Sequence, residues 1–400
     1  MKALSALAPI AVPLLTLAMS ACAQSGSAGT ATDTDGSDAA ALEPSDIEPG
    51  GDPDGSGASE RDAAPGDADG PTDVAGPDER PVIRVITINA GTSSGRRHDA
   101  DEADGLPPYT SATSELVDEH YFNSLSWNPA ERALTAWLAT QNAQVVAFQE
   151  IFHDPWCDEI DRPEDTPLDL ICSTHDPAGP LQVQRLTGDR YQFACGIEKP
   201  DTCIAIDRDW AVMDGCNAAG CVILWEPARP LSECTGRDRM GRVRVTDSTG
   251  QRFNIIAWHG TSGGTPEDAQ CRADILSLAF EDRGDGTPLV DPTLPNLLLG
   301  DFNFDPELFV GADVDYIAQF VGAGRSFSWL SPTDIDGPRS YAGGVSIDHV
   351  VGDRWEGDCV IPGSSEGVPA VWDRVYWDHR PVVCDLRLTG DSGDQNLPPG

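Results

Sequence analysis

The chain has 400 residues, with 26 Lys and Arg against 66 Asp and Glu, and its formal net charge is −40 at pH 7. A protein that binds polyanions through charge alone carries a basic face, so this composition argues against tight metal-free binding of DNA. The chain is long enough to form one large α/β domain with a substantial core.

The first residues have the features of an export signal. Lys2 precedes an apolar run over residues 6–19 that is interrupted by two prolines and is too short for a membrane-spanning helix. The run ends in Met-Ser-Ala-Cys, which resembles a bacterial lipoprotein signal with Cys22 as the lipidated residue. We therefore expect an exported protein of the bacterial cell envelope, in the periplasm or at the cell surface, that contacts the membrane only through Cys22. Plain secretion, with cleavage near Ala21, is the alternative.

Residues 23–80 are predicted to be a disordered acidic linker. They hold fifteen Asp and Glu against two Arg, and they have almost no bulky apolar side chains. Such a segment cannot bury enough surface to offset the loss of chain entropy on folding. The folded domain is then expected over residues 81–390, followed by a flexible tail over residues 391–400.

The cysteines predict disulfides. Setting Cys22 aside leaves ten of the eleven, an even number that indicates up to five disulfides outside the cytoplasm. Seven of the ten lie within residues 153–240, which we interpret as a disulfide-rich insertion. The pairing stays open, although sequence neighbours are reasonable partners: Cys195 with Cys203, and Cys216 with Cys221.

The domain opens with a β-branched strand over residues 81–88, which ends at Asn89. Asn128, followed by a proline, predicts the N-cap of an amphipathic helix. The next strand, over residues 144–150, ends at Glu150. Ligands of open α/β sheets lie at strand ends, so polar residues at these positions are candidate site residues.

Later apolar strands are predicted to end on polar residues in the same way. The residues at or directly after these predicted strand ends are His259, Asp301, Asp348 and the pair Asp378-His379. One such residue is usually a cap or a turn residue, but a series of them indicates a shared site.

The strongest local motif is Gly300-Asp301-Phe302-Asn303. With the residues at the strand ends, in the same order along the chain, it resembles the endonuclease/exonuclease/phosphatase superfamily over residues 81–388. The resemblance implies an α/β fold of two packed mixed β-sheets, a β-sandwich flanked by helices as in deoxyribonuclease I. It also implies an active site at one edge of the sheets.

The resemblance further implies a divalent metal ion, Mg²⁺ or alternatively Mn²⁺ or Ca²⁺, with Asn89, Glu150 and Asp378 as its ligands. Carboxylate and amide oxygens suit such a hard cation. The cation neutralises the charge that develops on the phosphoryl oxygens when a phosphate ester is cleaved.

Five residues match the catalytic positions of the superfamily. Asp301 and Asn303 would orient or activate the attacking water, and Asp348 would pair with His379, fix its tautomer and raise its pKa. His259 would stabilise the phosphoryl oxygens or protonate the leaving group. Which histidine is the acid and which is the base stays open.

These residues predict a metal-dependent hydrolase of phosphodiester bonds, and we expect a monomer. Nucleic acid is narrowly favoured as the substrate over a phospholipid head group, as in a sphingomyelinase, or a small phosphate ester. The sequence leaves two other functions open. Gly260-Thr-Ser262-Gly-Gly264 matches the G-x-S-x-G motif of serine esterases, but a nucleophile elbow needs a helix that begins at the serine. The other is a binding protein without catalysis.

Overall fold

The computed structural model describes residues 81–91, 109–160, 169–228, 239–263, 265–281, 287–307, 320–322, 325–334, 336–341, 344–362 and 377–389. All of them belong to the second of the two units into which the chain divides, residues 73–400. The predicted signal with Cys22, the predicted linker over residues 23–80 and the predicted tail over residues 391–400 lie outside the described residues. No helix within these ranges is long and apolar enough to cross a membrane.

Fifteen strands, four α-helices and two short 3₁₀ helices are described. The helices are α1 (Ser111–His120), α2 (Asn128–Gln141), α3 (Gln182–Thr187) and α4 (Pro266–Leu278), and the 3₁₀ helices are Asp154–Asp158 and Ile171–Ser173. The strands are β1 (Ile83–Asn89), β2 (Val145–Gln149), β3 (Tyr191–Cys195), β4 (Cys203–Asp207), β5 (Ala211–Met213), β6 (Val222–Leu224), β7 (Glu226–Pro227), β8 (Met240–Asp247), β9 (Arg252–His259), β10 (Asn296–Asp301), β11 (Val321–Gly322), β12 (Arg325–Trp329), β13 (Asp348–Asp353), β14 (Trp355–Val360) and β15 (Val382–Leu388).

The strands form two mixed sheets. The first has the order β14-β15-β1-β2-β4-β3-β6, and the second has the order β11-β12-β13-β10-β9-β8-β5, with β7 paired to β8. Parallel pairs lie among antiparallel neighbours in both sheets: β1 with β2 and β3 with β6 in the first, and β9 with β10 in the second. The segment predicted to be a disulfide-rich insertion supplies β3, β4 and β6 to the first sheet.

The two sheets pack face to face, because alternate residues of each strand point into a shared core. Val85 of β1 and Ile255 of β9 belong to this central cluster, whereas the adjacent Ile86 packs outward against α1, α2 and α3. Ile256 likewise packs outward with residues of α4. The result is a β-sandwich flanked by helices, which confirms the fold class predicted from the sequence.

The predicted helix after residue 127 is present, but its cap is one residue earlier than expected. Trp127 is the N-cap, so Asn128 is the first helical residue and Pro129 the second. Asn128 uses its side chain elsewhere, donating from Nδ2 to Oδ1 of Asp169 over 2.7 Å. The side chain of Asn128 therefore binds Asp169 instead of capping the helix, which is the role that Asn favours.

The described cysteines form disulfides, as the even cysteine count predicted. Cys195 pairs with Cys203 and Cys216 with Cys221, as predicted, and two further pairs join Cys157 to Cys172 and Cys359 to Cys384. Cys271 is also disulfide-bonded. The Cys195–Cys203 bridge closes a tight loop between β3 and β4. This loop packs beside the end of β2, where the amide of Ile151 donates to the carbonyl of Asp201 over 3.1 Å.

Candidate active site

The ends of neighbouring strands bring the predicted site residues together. Asn89 is the last residue of β1 and lies opposite Gln149, the last residue of β2, so Glu150 follows directly at the same edge. In the second sheet Asp301 ends β10 opposite His259, which ends the parallel strand β9. Parallel strands that are in register deliver their last residues to one edge.

Two predicted strand ends are strand beginnings, which corrects the sequence interpretation. Asp348 is the first residue of β13, which runs antiparallel to β10 and pairs Asp348 with Asp301. Asp378 and His379 precede β15, which runs antiparallel to β1. An antiparallel strand begins at the edge where its neighbour ends, so the residues still reach the same site.

Asp301 is the hub of the cluster. Its side chain is 1% exposed and accepts hydrogen bonds from Nδ2 of Asn89 at 3.1 Å and from the amide of Asn303 at 2.8 Å. The Nε2 atoms of His259 and His379 lie 3.8 Å and 3.9 Å from its Oδ2. Burial raises the pKa of Asp301 to about 7, with His379 opposing and Asp348 adding to the shift.

Asp348 and His379 form a tight buried pair. Nδ1 of His379 lies 2.8 Å from Oδ2 of Asp348, so the imidazole carries its proton on Nδ1 toward the carboxylate. Burial alone would lower the pKa of His379, but the negative charges of Asp348, Asp301 and Asp378 raise it well above its usual value. His379 is therefore set up as a cation at neutral pH.

His259 has the opposite electrostatic environment. Its Nε2 lies 3.4 Å from Oε1 of Glu150, and its Nδ1 is buried without a hydrogen-bond partner. Burial lowers the pKa of His259 well below its usual value, and the nearby charges of Lys199 and Arg239 act in the same direction. The two histidines thus enter the site in different protonation states, one neutral and one cationic.

Glu150 is held against the loop after β1. Its backbone adopts a left-handed conformation with φ of 54°, which is uncommon for a residue other than glycine. A Cβ added to Gly91 would lie 2.0 Å from Oε2 of Glu150, so only glycine fits there. The amide of Gly91 in turn donates to Oδ1 of Asn89 over 3.0 Å, and this contact ties the two candidate ligands together.

The donor set fits a hard divalent cation. Single ligand atoms of Asp301, Asp348 and His379 lie within 4.8 Å of one another, and Oδ1 of Asp348 is buried without a hydrogen-bond donor. Burial, together with the charge of Glu150, raises the pKa of the Asp378 carboxyl. A carboxyl whose pKa is raised by neighbouring carboxylates marks a concentration of negative charge that a cation would relieve.

All eight residues predicted for the site therefore lie at one edge of the sandwich. Sequence reasoning missed three residues that position them. Ser340 accepts from the amides of Ile347 and Asp348 through its Oγ, at 3.0 Å each, and Lys199 pairs with Asp201 at 2.8 Å beside His259. These residues come from distant loops with no local motif; only Gly91, two residues after Asn89, carried a signal that could have been recognised.

Ser262 does not have the setting of an esterase nucleophile. It is exposed, and α4 begins four residues later at Pro266 with Thr265 as its N-cap. Nε2 of His379 faces Asp301 and Asp378, at 3.9 Å and 4.0 Å. The described contacts therefore place a carboxylate, rather than a hydroxyl, before the histidine.

Comparison with known proteins finds similarity among solved structures alone, since no protein-family model and no curated protein matches the chain. The catalytic domain of human Nocturnin with bound sulfate is 13% identical over 77% of this chain and 94% of that one, with a TM-score of 0.45. An endonuclease/exonuclease/phosphatase from Beutenbergia cavernae is 18% identical over 78% and 72%, with a TM-score of 0.46. A mannosyl-6-phosphatase from Bacteroides thetaiotaomicron is 14% identical over 76% and 100%, with a TM-score of 0.42.

Proposed function

We propose that the chain is a member of the endonuclease/exonuclease/phosphatase superfamily and hydrolyses phosphodiester bonds with a divalent metal ion. The observation that carries this proposal is one buried cluster at the edge of the sandwich. In this cluster Asn89, Asp301 and Asp348 connect the two sheets and lie beside both histidines. Two kinds of observation support the proposal. The order of the motifs depends on local sequence, and the geometry of the cluster depends on strand register.

The metal ion is assigned to Glu150, with Asn89 and Asp378 beside it. Asp348 has only its Oδ1 left for an ion, because its Oδ2 already binds Nδ1 of His379. The ion, which we take to be Mg²⁺, would supply Lewis-acid neutralisation of the charge on the phosphoryl oxygens. A cation is needed here because four carboxylates, those of Glu150, Asp301, Asp348 and Asp378, lie around the two histidines.

The protonation states of the remaining residues determine which of them acts as the base and which as the acid in the reaction. Asp301, with a pKa of about 7, accepts a proton from the water whose oxygen forms the new bond to phosphorus. The bond from phosphorus to the ester oxygen breaks, and the cationic His379 gives the leaving oxygen its proton. The products are an alcohol and a phosphate monoester, so one water is consumed for each bond broken.

Two residues have a supporting role in this scheme. His259 is neutral and can contact the phosphoryl oxygens or the leaving group from the side of Glu150, with Nε2 as its accessible nitrogen. Asn303 donates its backbone amide to Asp301, and its side chain donates to the carbonyl of Gly260 over 3.2 Å, which fixes the loop after β10.

The experiment compares two alanine variants in the oxidised domain, residues 81–400, with bis-p-nitrophenyl phosphate and Mg²⁺. Glu150→Ala should lose at least 100-fold in kcat/KM because the metal ion loses its principal carboxylate. Ser262→Ala is the matched control and should retain its rate. Loss of activity in Ser262→Ala with full activity in Glu150→Ala would establish the serine esterase instead.

The substrate class and the export route are further parts of the proposal, and the protein is proposed to be a monomer. The acidic surface favours a substrate with few phosphates over a long polyanion, because a polyanion would be repelled outside the immediate reach of the metal ion. The lipoprotein-type signal supports attachment to the cell envelope through Cys22.

A further inference from the structure

An exposed aromatic side chain lies on the loop beside the metal-binding edge. The carbonyl oxygen of Asn123 would lie 2.7 Å from a Cβ added to Gly91, the residue that contacts Glu150. The amide of Leu125 donates to the carbonyl of Glu150 over 2.9 Å. The loop between α1 and α2 therefore lies against the candidate metal ligand, and Phe122 is next to Asn123 on this loop.

Phe122 is displayed toward solvent at a cost in backbone strain. Its side chain is 62% exposed, although Phe is among the residues that most favour burial. Phe122 and Asn123 both have φ of 57°, a left-handed conformation that is a genuine outlier for a bulky residue. Strained backbone persists where the surrounding structure enforces it and is concentrated at ligand-binding sites.

Two further rings extend the exposed surface of Phe122 toward the end of β2. The ring of Trp156 meets Phe122 edge-on, with 5.2 Å between centroids, and His153 meets Trp156 at 5.5 Å. Trp156 and His153 are half-buried. We call Phe122, His153 and Trp156 the aromatic rim. Because His153 is three residues after Glu150 and Phe122 precedes Asn123, which lies against Gly91, both ends of the aromatic rim are close in the chain to residues that contact the site.

A charged pair joins the aromatic rim to the catalytic cluster. Lys199 and Asp201 are 8% and 7% exposed and lie 2.8 Å apart on the loop closed by the Cys195–Cys203 disulfide. The carbonyl of Asp201 accepts from Ile151, one residue after Glu150. Lys199 acts electrostatically on His259 and Asp201 acts on His153, so this buried ion pair lies between the aromatic rim and the catalytic cluster.

The charge around the aromatic rim limits what it can bind. Five exposed carboxylates flank it on α1 and on the 3₁₀ helix after His153: Glu115, Asp118, Glu119, Asp158 and Glu159. They repel long polyanions and anionic lipid surfaces. A ligand with one phosphate avoids this repulsion, and a planar ring attached to that phosphate can stack on an exposed aromatic side chain.

We propose that the aromatic rim binds the planar ring, such as a nucleobase, of a small phosphodiester whose phosphate lies at the metal-binding edge. This inference rests on the proposed function and adds its substrate class: a small ester with an aromatic group rather than a nucleic acid polymer or a lipid bilayer. Phe122 provides the stacking surface.

The test compares two substrates that each have one phosphodiester: the dinucleotide ApA and glycerophosphoglycerol, which has no ring. Phe122→Ala should lower kcat/KM for ApA about tenfold more than for glycerophosphoglycerol, chiefly by raising KM. Phe122→Trp should restore the preference for ApA. Leu224→Ala is the matched control, since Leu224 is an equally exposed apolar residue, 63%, on β6 at the edge of the first sheet.

Equilibrium binding of ApA by calorimetry, with Mg²⁺ and in the slow His379→Gln background, tests the aromatic rim without appreciable turnover. If the wild type hydrolyses neither substrate, the proposed function fails, and weaker binding of ApA by Phe122→Ala still supports the rim. An unchanged preference for ApA together with unchanged binding overturns the inference. So does a Phe122→Ala variant that loses binding to phosphatidylcholine vesicles while its preference for ApA is unchanged, because the ring would then be a membrane contact.

Discussion

Three neighbouring strands of the second sheet, β9, β10 and β13, carry a buried polar residue at each end. At the end remote from the site, Asn296 lies opposite Asn254 and Asp353 in register. Asn296 accepts from Nδ2 of Asn254 at 2.7 Å and from the amide of Asp291 at 2.9 Å, and its own Nδ2 donates to two carbonyls at 2.8 Å each. In this group of three residues, Oδ1 of Asn254 is the one side-chain atom that is buried without a partner.

At the other end of the same strands, Asp301 lies opposite His259 and Asp348 in the same pairing. Here all three residues are titratable, and two of their atoms, Nδ1 of His259 and Oδ1 of Asp348, are buried without a partner. Burial raises the pKa of Asp301 to about 7 and lowers that of His259. The polar atoms at the site end therefore satisfy fewer of one another's hydrogen bonds than those at the remote end.

The difference separates a structural role from a chemical role within one sheet. Neutral amides with their hydrogen bonds made stabilise a fold, whereas clustered carboxylates destabilise it unless a ligand compensates them. Buried polarity alone would not have located the site. Shifted protonation equilibria together with unmet hydrogen-bonding capacity distinguish the two ends.

The largest effect is expected at the site end, from His379→Gln. The amide can still donate to Asp348, so folding should change little, but it cannot give a proton to the leaving group. We expect roughly a 10³-fold loss in kcat/KM for bis-p-nitrophenyl phosphate. A melting temperature close to that of the wild type would show that the loss is chemical, and a loss of less than tenfold would remove His379 from the reaction.

Asn296→Ala is the reciprocal change at the remote end. It leaves the partners of a buried amide unpaired, so the free energy of unfolding should fall by about 4 kcal/mol, measured by urea denaturation. The folded fraction should keep its kcat, since Asn296 is separated from Asp301 by the length of β10. A selective loss of kcat with unchanged stability would reverse the roles assigned to the two ends.

His349 sharpens the comparison, because it is adjacent to Asp348 but has a structural environment. Its Nε2 donates to the carbonyl of Phe304 at 3.1 Å, while its Nδ1 accepts from Trp329 and Ser331 at 3.2 Å and 3.0 Å. Burial lowers its pKa from 6.5 to about 4. The pattern requires a neutral imidazole in the folded state.

The sign of the pH effect of His349 follows from this shift. Between pH 6.5 and about 4 the unfolded chain binds a proton that the folded protein does not, so stability falls as the pH falls. The contribution amounts to about 3 kcal/mol. Urea denaturation over this range should show a steeper loss for the wild type than for His349→Gln, and parallel curves would show that His349 does not govern the loss.

A smaller pH effect is expected for metal binding at the site end. Asp301, with a pKa of about 7, and Asp378, whose pKa is also raised, hold protons that a divalent cation must displace. Calorimetric titration with Mg²⁺ should show affinity falling up to about tenfold for each pH unit below 7. Affinity independent of pH, without proton release, would place the ion away from these carboxylates.

The sequence predicted the elements whose signal is local. Asn89, Glu150 and Asp301 each follow a buried apolar run, and the Gly-Asp-Phe-Asn motif identified the end of β10 directly. The position of β13 was wrong, because the apolar residues before Asp348 looked like a strand whereas the strand begins at Asp348 itself. Where a strand begins depends on its pairing partners, which a single segment does not show.

The rest of the site depends on tertiary structure. The Lys199–Asp201 pair reaches His259 only because a disulfide-closed loop folds onto the end of β2, and the exposure of Phe122 depends on two left-handed residues. Neither has a sequence pattern that distinguishes it from an ordinary loop. The segments predicted as signal, linker and tail stay predictions.

The most direct test of the central claim is hydrolysis of bis-p-nitrophenyl phosphate by the oxidised domain after its metal ions have been removed with EDTA. The account predicts no turnover in the stripped protein and recovery when Mg²⁺ or Mn²⁺ is added back. It also predicts that the metal-stripped protein remains folded by circular dichroism, because the sandwich core does not depend on the ion. Full turnover in the stripped protein, or no turnover with any divalent cation, would contradict the claim that this edge of the sandwich is a metal-dependent phosphodiesterase site.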